Sequence, residues 1–392
     1  MVRGALPGER VKLRILEARR GVARGALLEI AERSPQRVEP ACPLVERCGG
    51  CPLMPLALDA QRALKRQRVQ RALAGLSDPD LSLQLEAAGE PLGYRQRARF
   101  GFRRVGSGVL LGYRAPHSKQ LVDVERCPIL APELERALEL VRARLAACLQ
   151  GSGEIELSRL PSGEVLVLLR CGGSAPPQSY RACEALSGVA PIAGVALQVD
   201  GVAPARFGDF SGRTISADGA ELHSAAGSFS QINHGVNAVL RTRVLELAEA
   251  EGARVLELYA GQGNFTLELA SRAQSLLAIE ADPASADACR ANLRARGLSQ
   301  ARVLAAQVAD ARLPERCDAI VLDPPRAGAP ELAAIAARVR AERVVYVSCH
   351  MTTLGRDLRA LHAAGYRVDR AHALDMFPQT AHIEAVARLR RG

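Results

Sequence analysis

One cysteine and one carboxylate of this chain stand where they could do chemistry together. Ser348-Cys349-His350 follows a strand-like run, Arg343 to Ser348, and precedes a helix-patterned segment from about Thr352 to Ala364. A cysteine at a helix start faces the positive end of the macrodipole, which favours the thiolate and hence nucleophilicity. Glu384, in Pro378-Gln379-Thr380-Ala381-His382-Ile383-Glu384, is a candidate general base if the last strand returns its end to the same crevice. Taken singly, such a cysteine is more often packing, and such a glutamate only an edge-strand carboxylate.

What gives the pair weight is a ligand pocket written upstream. Glu257-Leu258-Tyr259-Ala260-Gly261-Gln262-Gly263-Asn264-Phe265-Thr266 follows a buried strand and opens a helix, with glycines that let a ligand approach the backbone. Glu280 ends the next strand, 23 residues after Glu257. Doubly wound folds place a carboxylate there against the two ribose hydroxyls of an adenosine. Thr266 stands where the third glycine of a dinucleotide fingerprint would fall, and no basic P-loop motif is present, so S-adenosylmethionine suits the pocket better than NAD or a triphosphate. Asp323-Pro324-Pro325-Arg326 closes a further strand in the same crevice, where prolines can only end it.

A second concentration of chemistry lies near the N-terminus. Of the ten cysteines, Cys42, Cys48 and Cys51 are clustered. The longest apolar runs, such as Val165 to Leu169, are far below the ~18 residues of a membrane span. Arg3, Glu9, Arg10 and Lys12 interrupt any signal-peptide core, so a cytoplasmic protein without a membrane is expected. In that compartment a cysteine cluster reads first as a metal or redox site.

The elements that must position these groups follow from pattern. A chain of 392 residues exceeds the ~250 to 300 at which one core stops growing, so two or three domains are expected. Residues 1–41 carry short alternating runs, Val11 to Leu16 and Ala26 to Ile30, that read as a small β unit. Residues 42–221 read as a β-rich central domain. Within it, residues 56 to 75 have helical periodicity with Arg62, Lys65, Arg66, Arg68 and Arg71 forming a basic face, either solvated or turned to RNA. Tyr94 to Arg103 alternates with period two, placing Arg95, Arg97, Arg99 and Arg103 opposite Tyr94, Phe100 and Phe102. Four like charges on one face call for an anion, and phosphate contact is the favoured reading. Residues 222–392 alternate strand and helix, which predicts an α/β, Rossmann-like doubly wound parallel sheet. Its last two runs, Arg367 to Leu374 and Ile383 to Leu389, predict an antiparallel pair at the sheet edge. The formal charge of +10 points to a polyanionic partner, with nucleic acid first, and nothing in the sequence marks an obligate protein partner.

The runs SFSQIN (Ser228 to Asn233), ELYAGQGNFT (Glu257 to Thr266), DPPRAG (Asp323 to Gly328), SCHMTTLGRDL (Ser348 to Leu358) and DMFPQTAHIE (Asp375 to Glu384) occur in the order seen in RNA uracil-C5 methyltransferases. Residues 222–392 thus closely resemble that family. The resemblance implies S-adenosylmethionine as methyl donor, Cys349 as nucleophile and Glu384 as base. It also implies cofactor contacts by Gln231, Tyr259, Asn264, Glu280, Gln307 and Asp323. Uracil C5 is too weak a nucleophile to take a methyl group unaided. A thiolate adding at C6 makes C5 nucleophilic, and a base later removes the C5 proton so that the thiol can leave. Cys42, Cys48 and Cys51, with the distant Cys127, look like the iron-sulfur ligand set of the ribosomal-RNA branch. Ligand type alone suits a [4Fe-4S] cluster or a four-cysteine zinc site equally, although only Cys48 and Cys51 form the close pair that zinc sites usually repeat. This branch makes 23S rRNA the favoured substrate over tRNA and the cluster a structural one. The first forty residues resemble the later part of a TRAM domain, a small RNA-binding barrel. Its opening strand does not read in the sequence, so the barrel is incomplete or the start codon was assigned late. His350 and Met351 depart from the family's usual Asn-Pro, and Gly355 from its usual Ala, in what reads as the turn that aims Cys349. A non-catalytic RNA-binding iron-sulfur protein is the competing class, disfavoured because both Cys349 and Glu384 are kept. An NAD oxidoreductase is disfavoured by Thr266.

Overall fold

The computed structural model describes residues 2–19, 21–78, 81–215, 219, 221–224, 227 and 230–392. Strands β1 (Arg10–Arg19) and β2 (Val22–Glu32) pair antiparallel as a hairpin. Among the described residues this N-terminal unit is a two-stranded sheet and not a closed barrel. Too few strands surround it to cover its apolar side chains, so Ile15 and Leu16 stay 64% and 63% exposed. Its base is pinned by the Glu9 carboxylate, which accepts from Leu6 N at 2.8 Å and from Arg37 Nε at 2.5 Å.

Helix α1 (Leu58–Leu73) and strand β3 (Gln84–Glu86) correct the expected boundary at residue 221. Both lie within residues 42–221, yet both belong to the C-terminal layer. Val69, Leu73 and Leu76 join its core. The expected basic face of α1 is also divided, because Gln61, Lys65, Val69 and Leu73 recur every four residues and all four are buried. Arg66, Arg68 and Arg71 remain exposed.

The central unit is built on β4 (Arg97–Val105), β5 (Gly108–Arg114), β6 (Leu121–Asp123), β7 (Ser152–Arg159), β8 (Val165–Cys171), β9 (Ile192–Val199) and β10 (Ala205–Gly208). Their order is β10-β9-β8-β7-β4-β5-β6. Helices α2 (Pro132–Arg144) and α3 (Pro177–Leu186), which the sequence reading passed over, supply Leu134, Leu138, Val141, Cys183 and Leu186 to its core. Phe100 and Phe102 are buried as expected. The anion facing the arginine row is protein: Glu156 of β7 lies 2.5 Å from Arg97, 3.0 Å from Arg99 and 3.3 Å from Arg170. Register requires it, since Arg99 pairs directly with Glu156. Arg97 is thereby engaged in an internal ion cluster, while Arg99, paired with the same buried Glu156, keeps about half of its side chain in solvent (53% exposed).

Strands β11 (Arg213–Ile215) and β12 (Glu221–His223) form a short hairpin ahead of the C-terminal layer. That layer comprises α4 (His234–Ala248), β13 (Arg254–Leu258), α5 (Thr266–Ala270), β14 (Ser275–Glu280), α6 (Pro283–Ala295), β15 (Ala301–Ala305), β16 (Ala319–Leu322), α7 (Leu332–Arg338), β17 (Arg343–Ser348), α8 (Met351–Ala363), β18 (Tyr366–Leu374) and β19 (Glu384–Arg391). The sheet runs β15-β14-β13-β16-β17-β19-β18-β3. Strands β13 to β17 are parallel, and β19 runs antiparallel between β17 and β18. The expected antiparallel pair is present, but it is not the edge, because β3 adds parallel to β18. The chain winds outward from β13 to β15 and returns to β16. The switch point therefore lies between the ends of β13 and β16, where doubly wound sheets bind ligands.

Candidate active site

At that switch point lies a cavity of about 990 Å³. Its wall brings together Gln231, Tyr259, Asn264, Glu280, Gln307, Asp323, Cys349 and Glu384. Ser228 and Phe229 of the SFSQIN run lie outside the described residues. The turn after β13 places Tyr259 at φ 59° and Gly263 at φ 100°. Gly263 is required here for space as well as conformation, since a Cβ would stand 3.1 Å from Cys289 Sγ. Glu280 stops at the end of β14, where its carboxylate accepts from Gly261 N and Asp282 N, each at 2.7 Å. Asn264 exchanges amide hydrogen bonds with Asn237 at 2.9 and 3.1 Å, and Tyr259 Oη donates to Glu331 at 2.5 Å. The cavity, open space beside Gly261 and a strand-end carboxylate fit an adenosine-bearing methyl donor.

Cys349 and Glu384 line the same cavity. Cys349 sits between β17 and α8, and the helix is capped by His350, whose Nδ1 accepts from Thr353 N at 3.4 Å. His350 thus does the capping that an asparagine would do. Gly355 is not in this turn; it lies inside α8, where an added Cβ would come within 3.3 Å of Ala72 O at the end of α1. The Cys349 thiol is held above its ordinary value by burial, with Glu384 and Asp323 adding and the Arg326 guanidinium opposing. The expected activation by the helix start is therefore outweighed in the resting protein. Glu384 is 2% exposed, its Oε1 has no hydrogen-bond partner, and burial followed by the Asp323 charge pushes its carboxyl far up. Burial also pushes Asp323 up to about 7, against a 3.3 Å hydrogen bond from Gln231. Two neighbouring buried carboxyls resist ionising together.

Sequence reasoning missed how Glu384 is held. The loop from Asp375 to Ile383 is gripped by residues far earlier in the chain. Lys65 Nζ donates to Asp375 Oδ1 at 2.5 Å and to Phe377 O at 3.0 Å, and Tyr94 Oη donates to Pro378 O at 3.0 Å. The available signal was the spacing of Gln61 and Lys65, which puts both polar residues on the buried stripe of α1.

Cys127 lies in the central core with Cys42 and Cys51 packed against it, and Cys48 is near enough to Cys42 and Cys51 for their charges to interact. Burial pushes Cys51 up to about 12 and Cys127 up to about 11, with the other thiols of the group adding. Among the described residues, however, no three His, Cys, Asp or Glu side chains stand as a finished ligand set. The Tyr113 hydroxyl is buried without a partner, near enough to Cys127, Cys48 and Cys51 for their charge to act on it. An all-thiol donor set with an unused hydroxyl beside it fits a thiolate-ligated metal group.

The chain covers 99% of itself and 95% of the Pyrococcus abyssi tRNA (uracil-54, C5)-methyltransferase, solved with S-adenosyl-L-homocysteine, at a TM-score of 0.78 and 24% identity. The fold is that of a Rossmann-like S-adenosylmethionine-dependent methyltransferase. The tRNA (Uracil-5-)-methyltransferase family model matches residues 212–391. The 23S rRNA (uracil(1939)-C(5))-methyltransferase RlmD of Edwardsiella ictaluri is 38% identical over 98% of this chain and 89% of its own length. The protein of that name from Alkalilimnicola ehrlichii is 35% identical over 100% and 91%. The chain belongs to the RNA uracil-C5 methyltransferase family. Among the described residues no helix is long and apolar enough to cross a membrane.

Proposed function

We propose that this protein methylates C5 of a uridine in 23S rRNA, in the cytoplasm, with Cys349 as nucleophile and Glu384 as base. The observation that carries the reading is that both groups line the cavity that also holds Tyr259, Glu280 and Asp323. S-adenosylmethionine supplies the electrophilic methyl group when bound, seated by Gln231, Tyr259, Asn264, Glu280, Gln307 and Asp323. The target uridine leaves its stack to reach the cavity. Arg326 stabilises the Cys349 thiolate against the pull of burial, and sulfur adds to C6, moving negative charge onto the ring at O4. Once C5 carries its methyl group, the free oxygen of Glu384 takes the C5 proton; the electron pair re-forms the C5–C6 double bond and expels the thiolate. Cys42, Cys48, Cys51 and Cys127 would hold a [4Fe-4S] cluster, which would tie the N-terminal loop to the central unit. The all-thiol set and the idle Tyr113 hydroxyl beside it support that reading. Mapping 5-methyluridine in 23S rRNA and tRNA from cells with and without the gene tests the substrate. Loss from one 23S site is expected, and loss confined to tRNA would overturn it.

A further inference from the structure

The nucleophile and the base stand on neighbouring strands, since Ser348 pairs with Ala385, but side chains of α1 meet their surroundings differently. Cys349 lies between β17 and the His350 cap, and α1 touches its helix through backbone packing at Gly355. The loop leading to Glu384 is gripped by polar side chains of α1. Gln61 is 1% exposed; its Nε2 donates to Gln379 Oε1 at 2.9 Å and to Leu56 O at 2.8 Å, while Gln379 N donates to Gln61 Oε1 at 3.0 Å. Gln379 is held at φ 69°, in the left-handed region that a side chain adopts only at a cost, so these bonds hold a conformation the loop would not choose alone. Leu53 N, two residues past Cys51, donates to Gln379 O at 3.0 Å. Lys65 is fully buried against the fully buried Asp375, and Arg68 donates to Ala381 O. A buried ion pair is a poor source of stability compared with packed apolar residues of the same size. What this one does supply is a fixed position for Asp375 and Phe377, and through them for the start of β19.

Resting on the assignment of Glu384 as base, we infer that Gln61 and Lys65 are positioning residues for Glu384, acting on its step and not on the step of Cys349. The test separates the two steps with in vitro transcribed 23S rRNA and S-adenosylmethionine, following the appearance and the disappearance of the denaturation-resistant protein-RNA complex. The variants are Gln61→Leu and the double variant Lys65→Met with Asp375→Asn, which removes both charges at nearly constant volume. Both should form the complex within threefold of the wild-type rate and release product at least tenfold more slowly, so that the complex accumulates. Equal slowing of both steps, no slowing of either, or failure of both variants to fold would make the contacts purely structural and overturn the inference. Glu384→Gln is the control. If it accumulates complex while the α1 variants do not, only the positioning role fails; if it does not accumulate complex, the base assignment itself is wrong.

Discussion

Replacing Glu384 by glutamine should divide the reaction at its last step. The change is nearly isosteric at a buried position whose Oε1 has no partner in the resting protein, so no existing hydrogen bond is lost there. Cofactor and RNA binding should be kept, and sulfur addition should proceed, because Cys349 is held by β17 and α8. Without a base the C5 proton stays, and the methylated adduct cannot eliminate. A positioned general base is worth ~10² to 10⁴ in rate, so release should slow by about that factor, or about 2.7 to 5.5 kcal/mol of barrier. The assay is a denaturing gel of enzyme with labelled 23S rRNA, read against time, with mass analysis for the methyl group. Cys349→Ala should give neither adduct nor product, and RNA carrying 5-fluorouridine should trap the wild type, since fluorine cannot leave as a cation. The pH dependence has a definite sign. The Cys349 thiol lies above its ordinary value, so the adduct-forming rate of wild type and Glu384→Gln alike should climb with pH through neutrality, approaching tenfold per unit while the thiol remains protonated. Normal turnover by Glu384→Gln, adduct formation by Cys349→Ala, or a rate of adduct formation flat between pH 6 and 8 would refute the reasoning.

The cysteine site should give brown protein on anaerobic purification, with four irons per chain by metal analysis, and Cys48→Ser or Cys127→Ser should lose colour and solubility together; colourless, zinc-loaded, active protein would contradict the cluster. Glu156→Gln should cost about 1.5 to 3 kcal/mol in denaturant titration, because it weakens the charged hydrogen bonds to Arg97, Arg99 and Arg170, and an unchanged midpoint would show the ion cluster to be idle. Arg66→Gln with Arg71→Gln, on the exposed face of α1, should weaken RNA binding and lower the log-log salt slope by roughly 0.7 to 0.9 per phosphate contact, with cofactor affinity unchanged.

Periodic and local features were legible in the sequence. The parallel strands β13 to β17, the turn at Tyr259 to Asn264 and the strand-end Glu280 are set by neighbours a few residues away, and hydrophobic runs with glycine turns announce them. What was not legible depends on pairs far apart in the chain. The arginine strand β4 reads as an open basic edge until β7 sets Glu156 opposite Arg99, 57 residues later. Lys65 reads as one more cation of a solvated face until Asp375, 310 residues on, meets it in the core. The three-residue strand β3 is too short to carry a period, and only its place beside β18 gives it away. For Cys349 the helix start was visible, while the two carboxyls that oppose its ionisation were not, because β16 and β19 bring them from other parts of the chain.

Those carboxyls also bear on why the proposed steps run in series. A Cys349 thiolate is disfavoured by negative charge on Glu384 and Asp323, and Coulomb interaction is mutual, so an ionised Glu384 is equally disfavoured by the thiolate. The buried site therefore resists carrying both charges at once. Addition to C6 removes the charge from sulfur by spreading it over the ring, and only then is a carboxylate at Glu384 free of that neighbour. When Glu384 takes the C5 proton it becomes neutral, and the thiolate is expelled beside an uncharged carboxyl. Proton abstraction thus assists departure of the sulfur as well as freeing the electrons that expel it. Burial disfavours the Cys349 thiolate at its departure as much as at its formation, so what eases expulsion is the neutral carboxyl of Glu384 fixed beside it, which is the task assigned here to Gln61 and Lys65.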